Sequence, residues 1–173
     1  MARILGIDPG SRVTGFGLID TGGGRKAVYV ASGCVRSDDP DLARRLKTIF
    51  EGLRVVIAEH RPDEAVIENV FVKRNIESAL KLGQARGAAI TALATHGLSV
   101  HAYTPAQIKL AIAGKGNAAK AQIQHMVRAL LNLPAAPQAD AADALACALC
   151  HSHTNATLSR LARTGSSWRE QRL

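Results

Sequence analysis

Four acidic residues in this chain of 173 stand where an ordinary surface charge is hard to place. Asp8 closes the apolar run Arg3–Ile7, and Glu68 closes the run Ala65-Val66-Ile67, so each is expected at the C-terminal end of a short strand. In open sheets with helical crossovers, ligands gather at that end. A carboxylate there is costly unless something neutralises it. Asp140 and Asp143 are spaced i, i+3 and share one face of an expected helix. They fall in its first turn, where the helix dipole favours negative charge. Their neighbours Ala139, Ala141, Ala142, Ala144, Leu145 and Ala146 let that helix pack closely on a sheet. Brought together, four carboxylates cannot all stay ionised unaided. A hard divalent cation resolves the conflict, and Mg2+ prefers carboxylate and phosphate oxygens. Two such ions about 4 Å apart suit phosphodiester hydrolysis. Singly, Asp140 reads as a helix cap and Asp8, before Pro9-Gly10, as a turn former. Glu68 has the weakest ordinary explanation, so the joint pattern carries the reading.

The elements that must position these acids follow from periodicity and turn residues. Arg3–Ile7, Val13–Ile19 and Lys26–Val35 read as strands separated by Pro9–Arg12 and Gly22–Gly24, an antiparallel meander. Leu42, Leu46, Ile49, Leu53, Val56 and Ile57 recur at helical spacing after the capping acids of Asp38–Asp41, and Pro62 ends that helix. A helix from about Asn75 to Thr95 and a strand over Leu98–Ala102 follow the Glu68 strand. Further helices are expected after Thr104-Pro105, from about Asn117 to Leu131, and from about Gln138 to His153. The order β-β-β-α-β-α-β followed by helices predicts an α/β fold, a mixed five-stranded sheet flanked by helices, with strands one and four central. Residues 1–153 read as one domain. Residues 154–173, with Arg160, Arg163, Arg169 and Arg172, read as a basic, flexible C-terminal tail.

Lys plus Arg number 22 against 14 Asp plus Glu, a formal charge of +8. Such a surface attracts polyanions, nucleic acid above all. Three cysteines are too few for a disulfide scaffold. Met1-Ala2-Arg3 runs straight into a strand with no secretory leader, and no apolar run reaches the roughly 18 residues of a membrane span. A cytoplasmic location is expected.

Other residues suit the same substrate. Phe71, Lys73 and Arg74 follow Glu68 in an expected loop, and an exposed aromatic beside two cations suits base stacking and phosphate contact. A buried Phe with a solvated charge pair is the plainer alternative. Lys109, Lys115 and Lys120 accompany Gly114 and Gly116 just before a helix start, where backbone amides can approach phosphate. The segment is no Walker A loop: Gly116 occupies the Ser/Thr position. Gly83 and Gly87 lie one helical turn apart and permit close approach, by spacing alone more readily to the sheet. Cys147-Ala148-Leu149-Cys150-His151 matches a haem-attachment string by accident. Zinc there would need further ligands, with only His153 near, so the cysteines read as small buried residues.

These stretches resemble the RuvC family of junction resolvases within the RNase H-like superfamily. The resemblance rests on Ile4-Leu5-Gly6-Ile7-Asp8-Pro9-Gly10-Ser11-Arg12-Val13-Thr14-Gly15, Ile67-Glu68 with Val70-Phe71, Ser78–Gly87, and Pro137–Ala146. It implies catalytic, metal-holding acids at Asp8, Glu68, Asp140 and Asp143, two Mg2+ ions with Mn2+ as a substitute, and paired symmetric nicks in four-way DNA junctions leaving 5′-phosphates. It further implies a role for Phe71 at the junction's crossover point and for Lys109 and Lys120 in DNA binding and catalysis, with Lys115 added by proximity; Arg12, Lys73 and Arg74 are the other DNA-contact candidates. A homodimer through the Gly83/Gly87 helix and partnership with the RuvA–RuvB branch-migration complex at the nucleoid also follow. The rivals are an actin-like sugar kinase or ATPase, a related nuclease acting on structured RNA, and a junction-binding protein without catalysis.

Overall fold

The computed structural model describes residues 2–22, 26–69 and 75–170, with side chains described to residue 158. Its elements are β1 (Ala2–Asp8), β2 (Val13–Thr21), β3 (Val28–Arg36), α1 (Leu42–His60), β4 (Glu64–Glu68), α2 (Ile76–Ala94), β5 (Ser99–Tyr103), α3 (Pro105–Ala113), α4 (Lys120–Leu130) and α5 (Ala139–Glu170). The five strands form one sheet in the order β3-β2-β1-β4-β5. β1 to β3 pair antiparallel, and β1, β4 and β5 run parallel, so the sheet is mixed as expected.

Strand alternation divides the core in two. Leu5, Ile7, Leu18, Ala65 and Ile67 pack under α1 and α2. Ile4, Ile19 and Val66 pack under α3, α4 and α5. Each fully buried Leu or Ile contributes about 1.5–3 kcal/mol, so a one-residue slip of β1 would bury the wrong face and is strongly disfavoured.

Local signals start and stop the helices. The Asp41 side chain accepts from the Arg44 amide to open α1, and Arg61, in the left-handed region at φ 47, closes it. Pro62 follows, and a residue before proline is disfavoured in helix. α3 opens on a Thr104/Gln107 capping box with Pro105 in the first turn and closes on Gly114 at φ 69.

α5 lies directly on β1 and β2 because glycines remove the side chains beneath it. A Cβ on Gly6 would stand 2.0 Å from the Ala144 carbonyl oxygen, and one on Gly15 would stand 2.1 Å from that of Asp140. One on Gly17 would meet Leu145 Cγ at 2.6 Å.

Two boundaries differ from the sequence-based expectation. α4 starts at Lys120 rather than near Asn117, because Ala119 takes an extended backbone and caps it. α5 continues to Glu170 instead of ending near His153. No proline interrupts residues 154–170, and the hydroxyls of Thr154 and Thr157 bond back to the carbonyls of Cys150 and His153 within the helix. No helix among the described residues is long and apolar enough to cross a membrane.

Candidate active site

The parallel register of β1 and β4 pairs Ile7 with Ile67. Asp8 and Glu68 are the next residues, so they leave the sheet at the same edge and on the face turned to α5. α5 supplies Asp140 in its first turn and Asp143 one turn later. Gly15 under the Asp140 carbonyl lets that turn descend to the strand ends. Arg36 Nη2 donates to Gln138 Oε1 at 3.0 Å and ties the start of α5 to the end of β3.

The four acids feel one another. Burial, then the charges of Glu68, Asp143 and Asp140, push the Asp8 carboxyl up to about 8. Burial and Asp143 raise Glu68, while hydrogen bonding with Asp8 and the charges of Lys109 and Lys120 act the other way. Lys120 Nζ lies 2.8 Å from Asp143 Oδ2. That bond, reinforced by Asp140 and Asp8, holds the ammonium above its ordinary value. Among the described residues, no three of the four acids bring their oxygens as close together as 4.8 Å. Asp8 and Glu68 pair with each other, while Lys120 neutralises the Asp143 side of the group.

A cleft of about 230 Å³ opens beside the acids, with Glu68, Asp143, Lys109 and Lys120 on its polar side and Ile108 and Ile123 on its apolar side. Negative groups that can hold cations thus adjoin positive groups that can hold phosphate. Of the other expected contacts, Arg12 is exposed in the turn after Asp8, and Lys115 is exposed but does not line this cleft. Phe71, Lys73 and Arg74 lie outside the described residues.

Two positioning groups carried no distinct signal in the sequence. Arg86 on α2 donates through Nε to the Glu68 carbonyl at 3.2 Å and through Nη2 to Asn69 Oδ1 at 2.8 Å. It pins the end of β4 from the side. Thr14, fully buried, donates its hydroxyl to the Gly10 carbonyl at 2.9 Å and closes the turn that follows Asp8. Their partners are mostly backbone atoms, which sequence spacing does not reveal.

The donor set is chemically suited to a divalent cation: four hard carboxylates, two of them raised by crowding and burial. The sequence pattern of one protein family, described as Crossover junction endodeoxyribonuclease RuvC, matches residues 4–151. This chain belongs to the RuvC family. A RuvC of Marinobacter nauticus is 57% identical over 173 residues, spanning 100% of this chain and 98% of its own length. The solved structure of T. thermophilus RuvC in complex with Holliday junction substrate superposes with a TM-score of 0.83 at 36% identity, covering 90% of this chain and 95% of that one. The yeast mitochondrial Holliday junction resolvase shares the fold, with a TM-score of 0.72 at 11% identity over 96% of this chain and 86% of its own. RuvC membership makes the chain a crossover junction endodeoxyribonuclease, a nuclease of recombination and repair. It sets aside the kinase, RNA-nuclease and non-catalytic readings.

Proposed function

We propose that this RuvC relative resolves four-way DNA junctions by paired symmetric nicks, with Asp8, Glu68, Asp140 and Asp143 as its catalytic acids. The observation that carries the assignment is the meeting of two strand-end acids with two helix acids beside the Lys109/Lys120 cleft. The same acids would hold two Mg2+ ions, with Mn2+ as a substitute. Bound there, the ions would supply an activated water and stabilisation of the leaving oxygen. The chain's own groups do the rest. Lys120 compensates Asp143 and, with Lys109, draws the scissile phosphate into the cleft. Arg86 fixes the Glu68 backbone so that its carboxylate keeps its aim. Arg12 and Lys115 suit flanking phosphates, and Phe71, Lys73 and Arg74 are assigned to the branch point.

Two-fold nicking calls for two sites, and α2 offers a surface for pairing. A Cβ on Gly83 or Gly87 would meet nothing within 4 Å, so these glycines do not pack on the sheet. Ile76 and Leu80 on the same helix are 75% and 63% exposed. Positions 76, 80, 83 and 87 form one stripe at helical spacing. We assign this stripe to a homodimer interface, and partnership with RuvA–RuvB to the assembled dimer.

The deciding experiment is a synthetic mobile four-way junction incubated with the protein and Mg2+. Paired symmetric nicks with 5′-phosphate ends are expected, abolished in Asp8→Asn while junction binding survives. Intact junctions under every divalent cation tried would overturn the assignment.

A further inference from the structure

A second cluster of donors lies at the other end of the α5 contact, away from the acids. Glu64 opens β4, four residues before Glu68. His101 pairs in register with Val66, which places both on the face turned to α5 together with Glu64. His151 stands on α5 eight residues beyond Asp143, about 12 Å along the helix. Glu64, His101 and His151 each offer a ligand atom, and the three atoms lie within 4.8 Å of one another. Among the described residues, no other three His, Cys, Asp or Glu side chains gather so tightly.

The surroundings of His151 fit a ligand. The residue is 1% exposed. Nε2 lies 2.7 Å from Glu64 Oε2 and 3.0 Å from Asn155 Nδ2. One imidazole nitrogen has a single in-plane direction, so it cannot serve a carboxylate oxygen and an amide donor equally. A cation held between Nε2 and Glu64 would take the place of the proton they share, with the Asn155 amide turned to the Glu64 carboxylate, 3.5 Å away. Nδ1 sits 2.9 Å from the Tyr103 hydroxyl. An Nδ1–H donated to that oxygen fixes the tautomer that leaves the Nε2 lone pair free, the usual outer support of a metal-bound histidine. The His101 ring lies over that of His151, centroids 4.3 Å apart and tilted 32°. His101 is exposed on an edge strand and makes no hydrogen bond among the described residues, so it is free to swing its nitrogen inward.

We propose that Glu64, His101 and His151 bind one transition-metal ion of the Zn2+ class, which ties α5 to the β4–β5 edge of the sheet. Two imidazole nitrogens and one carboxylate oxygen select Zn2+ over Mg2+. This is the opposite preference to the all-carboxylate cluster around Asp8, and the proposal is independent of the nuclease assignment. The ion would join the helix that carries Asp140 and Asp143 to the strand that carries Glu68. The Cys147-x-x-Cys150-His151 string points to the right helix with the wrong partners. Both cysteines are buried in the apolar core, and His151 turns instead to β4 and β5.

The test titrates Zn2+ into the chelator-treated full chain, with Mg2+ in excess to occupy the acids. One Zn2+ per chain and a rise in Tm are expected. Cu2+ used as a substitute should show hyperfine coupling to imidazole nitrogens by electron paramagnetic resonance. His101→Ala changes an exposed side chain and should fold. It should weaken Zn2+ by more than about a hundredfold, beyond the range of outer-sphere changes, yet leave Mg2+-dependent cleavage unchanged. Glu64→Gln should act alike, and Tyr103→Phe should weaken binding about tenfold. Absence of Zn2+ binding under excess Mg2+ would overturn the proposal. So would binding unchanged in both His101→Ala and Glu64→Gln, leaving a proton as the only link between His151 and Glu64.

Discussion

Asp8 is where stability and chemistry oppose each other most directly. Its carboxyl, ordinarily near 3.8, is pushed to about 8 by burial and by Glu68, Asp143 and Asp140. Between those two values the folded protein holds a proton that the unfolded chain has released. Stability therefore falls as pH rises through this window, and the loss is complete above about 8. Glu68 shifts in the same direction and adds to the slope. In chelator-treated protein, Tm should decline from mildly acidic to mildly alkaline pH. Asp8→Asn should flatten much of that decline and raise Tm at pH 8. The same substitution should lower cleavage by at least about a thousandfold, the scale for losing one member of a catalytic unit. A variant less stable than wild type at pH 8 would contradict the account. Arg86 acts at one remove, through the Glu68 carbonyl and Asn69. Arg86→Ala should lower kcat by about 10–100-fold, the range for losing an outer support of a ligand, with little change in junction affinity. Loss of affinity with unchanged kcat would instead make it a DNA contact. The placement of the four acids, at two strand ends and at i, i+3 on one helix, was legible in the sequence. Arg86 and Thr14 were not, since both act mainly on backbone atoms.

At the scale of elements, α5 and the glycines beneath it decide whether Asp140 and Asp143 come down to the ends of β1 and β4. Gly15→Ala would thrust a Cβ against the Asp140 carbonyl oxygen, a backbone atom that moves only with the helix. Overpacking of this kind costs about 1–3 kcal/mol, so Tm should drop by several degrees. Activity should fall further than stability, because the displaced turn carries Asp140. Cleavage assayed well below Tm separates the two effects, and full activity there would show that the helix tolerates displacement. Most elements were readable from pattern: period-two runs gave the strands, and Asn75, Thr104-Pro105 and Pro62 marked helix ends near where they occur. The end of α5 was not readable, because a polar, Arg-rich stretch with Gly165 gives no apolar stripe, yet no proline stops the helix there. The Gly83/Gly87 pair was ambiguous for a related reason. Spacing shows that close approach is possible but not which partner approaches, and only the open space above both glycines excludes the sheet.

At the scale of the whole molecule, the net charge of +8 and the four proposed catalytic acids would divide the labour between attraction and cutting. The positive surface speeds encounter with DNA of any sequence, and its contribution weakens as salt rises. Selection of a branched substrate needs geometry, and the proposed two-fold pair of active sites would supply it. The apolar stripe of α2 is the surface through which two copies would set that spacing. Leu80 is 63% exposed, so Leu80→Glu should leave the fold of each chain intact. In a symmetric helix pair it would place two carboxylates in one apolar contact, at a cost that small interfaces rarely tolerate. Analytical ultracentrifugation should then show wild-type dimers and mutant monomers at the same concentration. On a junction constrained in a supercoiled plasmid, the dimer should nick both strands in one encounter, giving linear product. The monomer should give nicked circles first, with the second cut following as a separate event. Mutant dimers, or linear product formed at the wild-type rate by monomers, would move the pairing surface away from α2.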